Sequence, residues 1–258
     1  MPASRVLSRD DGVASRVAER AGSGVTQADR TGARHGAREK IVLMFHGVGD
    51  VPPGVSAAER PYWVTRSSFL QIVALVKNMN FGREVVLTFD DGNSSDLFAA
   101  SELARAGLRA HFFLLAGRLG AQGFLDAAAA RDISRAGMEI GLHGHSHVDW
   151  RRNSPMDWQR EVSEARARIA EAIGRPVDRV AIPFGYYNRT VLRQLDAYRF
   201  HRIYNSDPGP TPAGSKMVRR TPVMRHSSMQ DIVDILEDRC GPLLRARRAI
   251  APLIKSWR

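Results

Sequence analysis

The sequence predicts an α/β fold in which a parallel sheet, covered by helices, closes into a barrel. Three observations carry this. The strand candidates are short, near-continuous apolar runs, as expected of strands buried on both faces. They alternate with segments of helical period, the pattern of successive β-α units. The most polar residues sit where apolar runs stop, and in a closed parallel barrel those ends form one face, where catalytic groups collect. With 258 residues, 43% of them hydrophobic, the chain can bury one large core of about 200–250 residues.

The elements follow in order. Residues 41–45 (Ile-Val-Leu-Met-Phe) form an apolar run that stops at His46-Gly47, a buried strand and its turn. Residues 69–79 place Phe69, Ile72, Val73 and Val76 at helical spacing. A second strand over 84–89 ends at Asp90-Asp91-Gly92 and precedes a helix over 96–106. A third strand over 110–115 is followed by a helix over 127–136, and a fourth over 138–142 ends at His143. A long helix over 155–173 is stopped by Gly174, a residue suited to the left-handed C-terminal cap. A fifth strand over 179–182 runs into Pro183-Phe184-Gly185, with a helix over 189–195 after it. Strands over 200–204 and 216–224 and a helix over 228–237 complete the series.

The ends of the chain differ from this middle. Residues 1–39 are rich in Arg, Ala, Gly and Ser with almost no large apolar side chains, a composition expected to stay disordered. No apolar leader stands in it, so the sequence reads as cytoplasmic. No run of about 18 apolar residues is present, so no membrane span is expected. The net charge is +11, yet most of it is terminal. Residues 1–40 hold 8 Lys/Arg against 5 Asp/Glu, and residues 239–258 hold 6 Lys/Arg and no acid, which leaves only +2 for the middle. The basic character therefore says little about a substrate pocket, and no nucleic-acid partner is expected. In residues 239–258, Leu243, Leu244, Ile250, Leu253, Ile254 and Trp257 recur at near-helical spacing among arginines. Such a segment either covers the barrel or makes a peripheral contact with an anionic membrane. Cys240 is the sole cysteine, so an intrachain disulfide and a cysteine zinc cluster are both excluded.

Three constellations could carry chemistry. Asp90 and Asp91 are adjacent carboxylates at a strand end. Their side chains diverge, so one can bind a metal while the other faces a water; taken alone, an Asp-Gly turn with solvated acids is the commoner meaning. His143-Gly144-His145-Ser146-His147 holds three of the eight histidines. His143 and His147, at i and i+4, can point two imidazoles at one ion; the ordinary alternative is a His-rich polar loop. With Asp91 the set is two histidines and a carboxylate, which leaves positions open for water and substrate as in catalytic sites. Pro183-Phe184-Gly185 is a turn able to aim a backbone N–H at an oxyanion, although a Pro-X-Gly sequence is usually just a loop.

Together these residues resemble the polysaccharide deacetylase family, also called the NodB homology domain or carbohydrate esterase family 4. The matching segments are Thr88-Phe89-Asp90-Asp91-Gly92, then Glu139-Ile140-Gly141 leading into His143-Gly144-His145-Ser146-His147, then Pro183-Phe184-Gly185-Tyr186-Tyr187-Asn188. Phe45-His46 and Ala110-His111-Phe112-Phe113-Leu114 also look like family strands. The resemblance implies a distorted (β/α)7 barrel over residues 40–238, flanked by the tail 1–39 and the basic segment 239–258. It implies a divalent metal, commonly zinc, held by Asp91, His143 and His147, with Asp90 as general base. Phe184 and Gly185 would serve the oxyanion and substrate, and the substrate would be an N-acetylated polysaccharide or oligosaccharide. Ala181 stands where the family has an arginine that pairs with the base, and Arg220 is a candidate to substitute for it from another strand. The family's late general-acid histidine has no clear match; His226 is the nearest candidate, and an ordinary strand-end histidine is the alternative. Tyr204-Asn205-Ser206-Asp207 falls in the region of the fourth motif without its tryptophan. Two rival functions remain at this point: hydrolysis of another C–N bond, such as a cyclic amide, and non-catalytic carbohydrate binding. The intact ligand set argues against both.

Overall fold

A computed structural model describes residues 39–53 and 55–239. The tail expected over 1–39 and the basic segment expected over 239–258, with Cys240, therefore lie outside the described residues except for their innermost positions. The strands are β1 (Lys40–Phe45), β2 (Gly47–Val48), β3 (Trp63–Val64), β4 (Glu84–Asp91), β5 (Ala110–Leu114), β6 (Glu139–Leu142), β7 (Arg179–Ala181), β8 (Arg202–Tyr204), β9 (Met217–Val218) and β10 (Thr221–Pro222). The helices are α1 (Arg66–Asn78), α2 (Asp96–Ala106), α3 (Ala127–Arg135), α4 (Pro155–Trp158, continuing through a π-helical turn Gln159–Glu164 into Ala165–Ile173), α5 (Arg189–Ala197) and α6 (Met229–Leu236).

Eight strands pair in parallel in the order β10-β1-β4-β5-β6-β7-β8-β9, and β2 pairs with β3 apart from them. The two edge strands are consecutive in the chain. Met217 and Val218 pair with β8, while Thr221 and Pro222 pair with β1. Only Arg219 and Arg220 lie between, so the sheet must curl until its edges nearly meet. This is a distorted (β/α)7 barrel whose seventh strand is split. A continuous strand is expected over 216–224; the two halves bond to opposite edges, and the ladder breaks between them.

Side chains alternate along each strand and sort into two cores. Facing the helices, Leu43, Phe45, Leu87, Phe89, Phe112, Leu114, Ile140, Leu142, Val180 and Ile203 join one large apolar cluster. Facing inward, Val42, Val86, Phe113, Ala181, Tyr204 and Val218 form a second, small one. The outer core is completed by Phe69 and Ile72 of α1, Leu103 of α2, Ile133 of α3, Val162 and Ile169 of α4, Leu195 of α5 and Ile232 of α6. Burying one such side chain stabilises the fold by about 1.5–3 kcal/mol. No helix among the described residues is long and apolar enough to cross a membrane.

Candidate active site

The inward register of β4 carries Val86, Thr88 and Asp90, and Asp90 lies 2% exposed in the barrel mouth. Strict alternation would send Asp91 outward, but its backbone is left-handed, at φ 79°. That conformation is one that Asp tolerates better than most residues. It turns the second carboxylate to the same mouth. Asp91 Oδ1 lies 3.7 Å from His143 Nε2 and 3.8 Å from His147 Nε2, and Asp90 Oδ2 lies 3.8 Å from His143 Nε2. One ligand atom each from Asp91, His143 and His147 falls within 4.8 Å of the others.

These residues fit a divalent metal. The separations are too long for hydrogen bonds and suit donors sharing one ion. Asp91 Oδ1 is buried with no hydrogen-bond partner, a costly arrangement unless a cation completes it. His143 Nδ1 is 2.9 Å from the Ala181 carbonyl oxygen. A carbonyl can only accept, so Nδ1 carries the proton and Nε2 keeps its lone pair for the ion. Burial lowers the His143 pKa to about 3 and also lowers that of His147. Both imidazoles are thus neutral, the form that ligates. Burial raises the Asp91 carboxyl, with the charge of Asp90 adding to it; a cation at this point would oppose that.

The His143–His147 loop is held by a residue that no motif announces. Glu161, fully buried in the π-helical turn of α4, accepts hydrogen bonds through Oε2 from the backbone N–H of His145 (3.0 Å) and of Ser146 (3.1 Å). Gly144 at φ 97° and His147 at φ 56° make the reversal that turns the second imidazole back toward the first. A Cβ at Gly144 would stand 3.0 Å from Glu161 Oε2.

Asp90 is clamped from the seam of the barrel. Arg220 donates through Nη1 to Oδ1 at 2.6 Å and through Nη2 to Oδ2 at 2.8 Å, while its Nε donates to the Asn205 carbonyl at 2.9 Å. Arg220 is 0% exposed, and its guanidinium lies over the rings of Phe113 and Tyr204. Burial would raise the Asp90 carboxyl, but Arg220, with His143 beside it, overcomes this and lowers its pKa to about 2. The arginine that the motif lacks at Ala181 is thus supplied from the break between β9 and β10.

A cleft of about 310 Å³ opens beside Asp91, lined by His46, Glu59, Trp63, Asn93 and Arg118 among others. His46 closes β1, packs at a tilt against Tyr62 with 4.8 Å between ring centroids, and has its Nδ1 buried without a hydrogen-bond partner. His226, the sequence's candidate for an acid, is exposed in the turn before α6 and does not line the cleft. The signal for His46 was present in its place: it ends an inward-facing strand, just as Asp90 and His143 do. The Pro183–Gly185 turn packs on the histidine loop. Phe184 lies over the His147 ring at 4.2 Å. The Gly185 N–H is engaged by the Ile182 carbonyl at 2.9 Å, so Gly185 is not an oxyanion donor. It shapes the turn, since its φ is 65° and a Cβ there would meet Ser206 at 2.6 Å.

Residues 77–203 match the family model for polysaccharide deacetylase. No curated protein matches the chain. Among solved structures, the chain is similar to the deacetylase PplD of Streptococcus pyogenes in complex with acetate, with 18% identity and a TM-score of 0.69 over 78% of this chain and 100% of that one. It is also similar to BC0361, a polysaccharide deacetylase from Bacillus cereus (16% identity, TM-score 0.68, 78% and 69% covered). A third likeness is to a de-N-acetylase from Aggregatibacter actinomycetemcomitans (15%, 0.62, 76% and 99%). At these identities the likeness establishes a shared fold.

Proposed function

The chain carries a polysaccharide deacetylase domain over residues 77–203, and from that premise we propose that it is a metal-dependent hydrolase removing N-acetyl groups from the amino sugars of a polysaccharide. The observation that carries the reading is the convergence of Asp91, His143 and His147 beside a carboxylate held ionised by Arg220. Two imidazoles and one carboxylate with open positions are a set that catalytic zinc accepts. Held there, the metal would supply Lewis acidity toward water and toward the acetamide carbonyl. Lewis acidity is needed, because Asp90 near 2 is always ready to accept a proton but is a weak base. In this reading Asp90 takes the proton from the attacking water. The Phe184 backbone N–H, at the mouth, donates to the acyl oxygen as charge grows on it. Water oxygen bonds to the acyl carbon, the C–N bond breaks, and the amine leaves with a proton. His46 is the donor of that proton by its place in the cleft, in preference to His226. The products are acetate and a free amino sugar.

The test measures metal content and acetate release together, on N-acetylated and O-acetylated glycans. Asp91→Ala and His143→Ala should lose both. Asp90→Asn should keep the metal and lose activity by on the order of 10²-fold or more. Full metal content and full turnover in His143→Ala would overturn the ligand assignment. A metal-loaded wild type that releases acetate from no N-acetylated glycan would overturn the reaction.

A further inference from the structure

The cleft beside the ligand cluster holds a cation that the hydrolytic steps do not use. Arg118 lines it together with Asp91, Asn93 and Glu59. Its guanidinium lies 4.9 Å over the Phe124 ring, and both side chains are half-buried. Arg220, Arg179 and Arg151 each face a carboxylate. Among the described residues no carboxylate pairs with Arg118, and no acceptor takes a hydrogen bond from its guanidinium. An arginine resting on a ring keeps the edge of its plane, where the N–H groups lie, free for an acceptor.

The position is built from both sides of the ligand cluster. Arg118 closes the short turn Ala116–Arg118, which is laced to the histidine loop. Ala116 N–H donates to the Gly144 carbonyl at 2.9 Å, and Gly117 N–H donates to the His145 carbonyl at 3.0 Å. A Cβ at Gly117 would stand 2.6 Å from that His145 oxygen, so the close approach needs glycine. Phe124 is tied instead to the segment after Asp91. It bridges Asn93, while Leu125 N–H donates to the Gly92 carbonyl at 2.9 Å and Ser94 N–H to the Gly123 carbonyl at 3.0 Å. The charge is close enough to act on the cluster: after burial, Arg118 is the next cause that lowers the His147 pKa.

A free guanidinium edge matches a carboxylate or a phosphate. The charges around it choose between them. Glu59 lines the same cleft, with Oε2 accepting from the Ser56 N–H and Oγ at 3.2 and 2.9 Å. A doubly charged phosphate ester would bring the larger repulsion from Glu59 against a single cation. A carboxylate is balanced by Arg118 alone.

We propose that Arg118, resting on Phe124, binds a carboxylate carried by the glycan, so that the substrate is an acidic polysaccharide in which N-acetylated amino sugars accompany acidic ones. This rests on the reading above and names the substrate class of that same site.

The test uses the purified, zinc-loaded protein and two probes that differ only in charge. One is a tetramer alternating N-acetylglucosamine with glucuronate; the other is the same tetramer with its carboxyl groups reduced to alcohols. Affinities are measured at low salt for wild type, Arg118→Gln and Arg118→Lys, with folding checked by thermal melting. The wild type should bind the acidic tetramer about tenfold more tightly than the reduced one, as expected of one charge-assisted contact, and added salt should shrink the preference. Arg118→Gln should bind both alike. Arg118→Lys, which keeps the charge but not the planar fork, should retain part of the preference. A wild type that binds the acidic tetramer no better than the reduced one overturns the proposal, as does a preference that survives in Arg118→Gln. Acetate release is followed on the same samples. A protein that prefers the acidic tetramer through Arg118 but releases acetate from neither probe keeps the site and loses the reaction; one that releases acetate from both without preference keeps the reaction and loses the site.

Discussion

The strands of this barrel present two faces with opposite chemistry, one residue apart. On β4, Leu87 and Phe89 face the helices, while Thr88 and Asp90 face the lumen. On β5, Phe112 faces out, stacked at 4.6 Å on Phe89, while His111 faces in and bonds Tyr204 Oη through Nδ1 at 2.8 Å. Both faces are largely buried. The outer one is held by apolar area alone, which many side chains supply. The inner one carries a buried arginine, a buried carboxylate and neutral histidines, whose stability depends on each partner being present. A substitution outside should therefore cost stability in proportion to volume, and one inside should cost stability and chemistry together.

Arg220→Met should break this contrast most strongly. It leaves Asp90 buried without its partner, a loss of about 3–5 kcal/mol. Phe112→Leu on the outer face should cost roughly 1–3 kcal/mol and leave the chemistry of folded molecules unchanged. Arg220→Met should also move a pH profile. The Asp90 carboxyl lies near 2 in the fold against 3.8 as its ordinary value. Its stabilisation is thus present above pH 3.8 and lost as pH falls toward 2. Without Arg220, burial loses its largest opponent and the carboxyl rises, so turnover should fail on the acid side and recover as pH rises. Adding Asp90→Asn to Arg220→Met should restore part of the stability and none of the turnover. Denaturant melts and rate profiles of the wild type and the three variants decide this; equal losses for Arg220→Met and Phe112→Leu, with the same acid limb, would mean the inner pair is not special.

What could be read from the sequence divides along the same faces. The continuous apolar runs located the strands, because strands packed on both sides need apolar residues at every position. The motif ends located Asp90, Asp91, His143 and His147 for the same reason: polarity breaking such a run marks a strand's end. Non-local features were not legible. The break that splits the last strand into β9 and β10 follows from closure of the sheet, and Arg219-Arg220 carries no local signal for it. Arg220 could be named only as a substitute for the missing motif arginine. Glu161 lies in a helix whose pattern reads as an ordinary amphipathic stripe, and nothing local distinguishes a glutamate that faces a loop from one that faces water. His46 was visible as a strand-end histidine, but its cleft requires β2, β3 and the 116–125 segment to be in place.

Glu161 offers the next test. Its Oε2 holds two backbone N–H groups of the histidine loop, bonds to a charged acceptor worth about 1.5–3 kcal/mol each at most. Glu161→Ala should lower the melting temperature and weaken metal binding by about 10–100-fold, the usual range for a residue that orients ligands without touching the ion. Glu161→Gln keeps an acceptor oxygen and should recover part of both. Chelator competition measures the affinity. Reduced stability with unchanged metal affinity in Glu161→Ala would assign Glu161 to packing alone and leave the loop's geometry to Gly144 and His147.

The smallest effect expected is at Asp96, in the first turn of α2. It is 0% exposed, and neither carboxylate oxygen has a hydrogen-bond partner. Burial raises its pKa well above 3.8, and the charges of Asp91 and Asp90 push the same way. The sign follows from linkage. In the unfolded chain this carboxyl ionises near 3.8, while in the fold it keeps its proton to higher pH. Its contribution is therefore fully favourable only below 3.8 and is lost as pH rises toward the folded value. At neutral pH the native state bears a penalty that it escapes in acid. Asn has the shape of the protonated side chain and no ionisation, so Asp96→Asn should raise the melting temperature at pH 7 by a few degrees, on the order of 2–4 °C for a domain of this size. At pH 3.5 the difference should vanish. Acetate release should persist, since Asp96 takes no part in the proposed steps. A loss of stability at pH 7 would mean that the carboxylate is ionised and held by a cation, and that the mouth of the barrel carries a second charged pair.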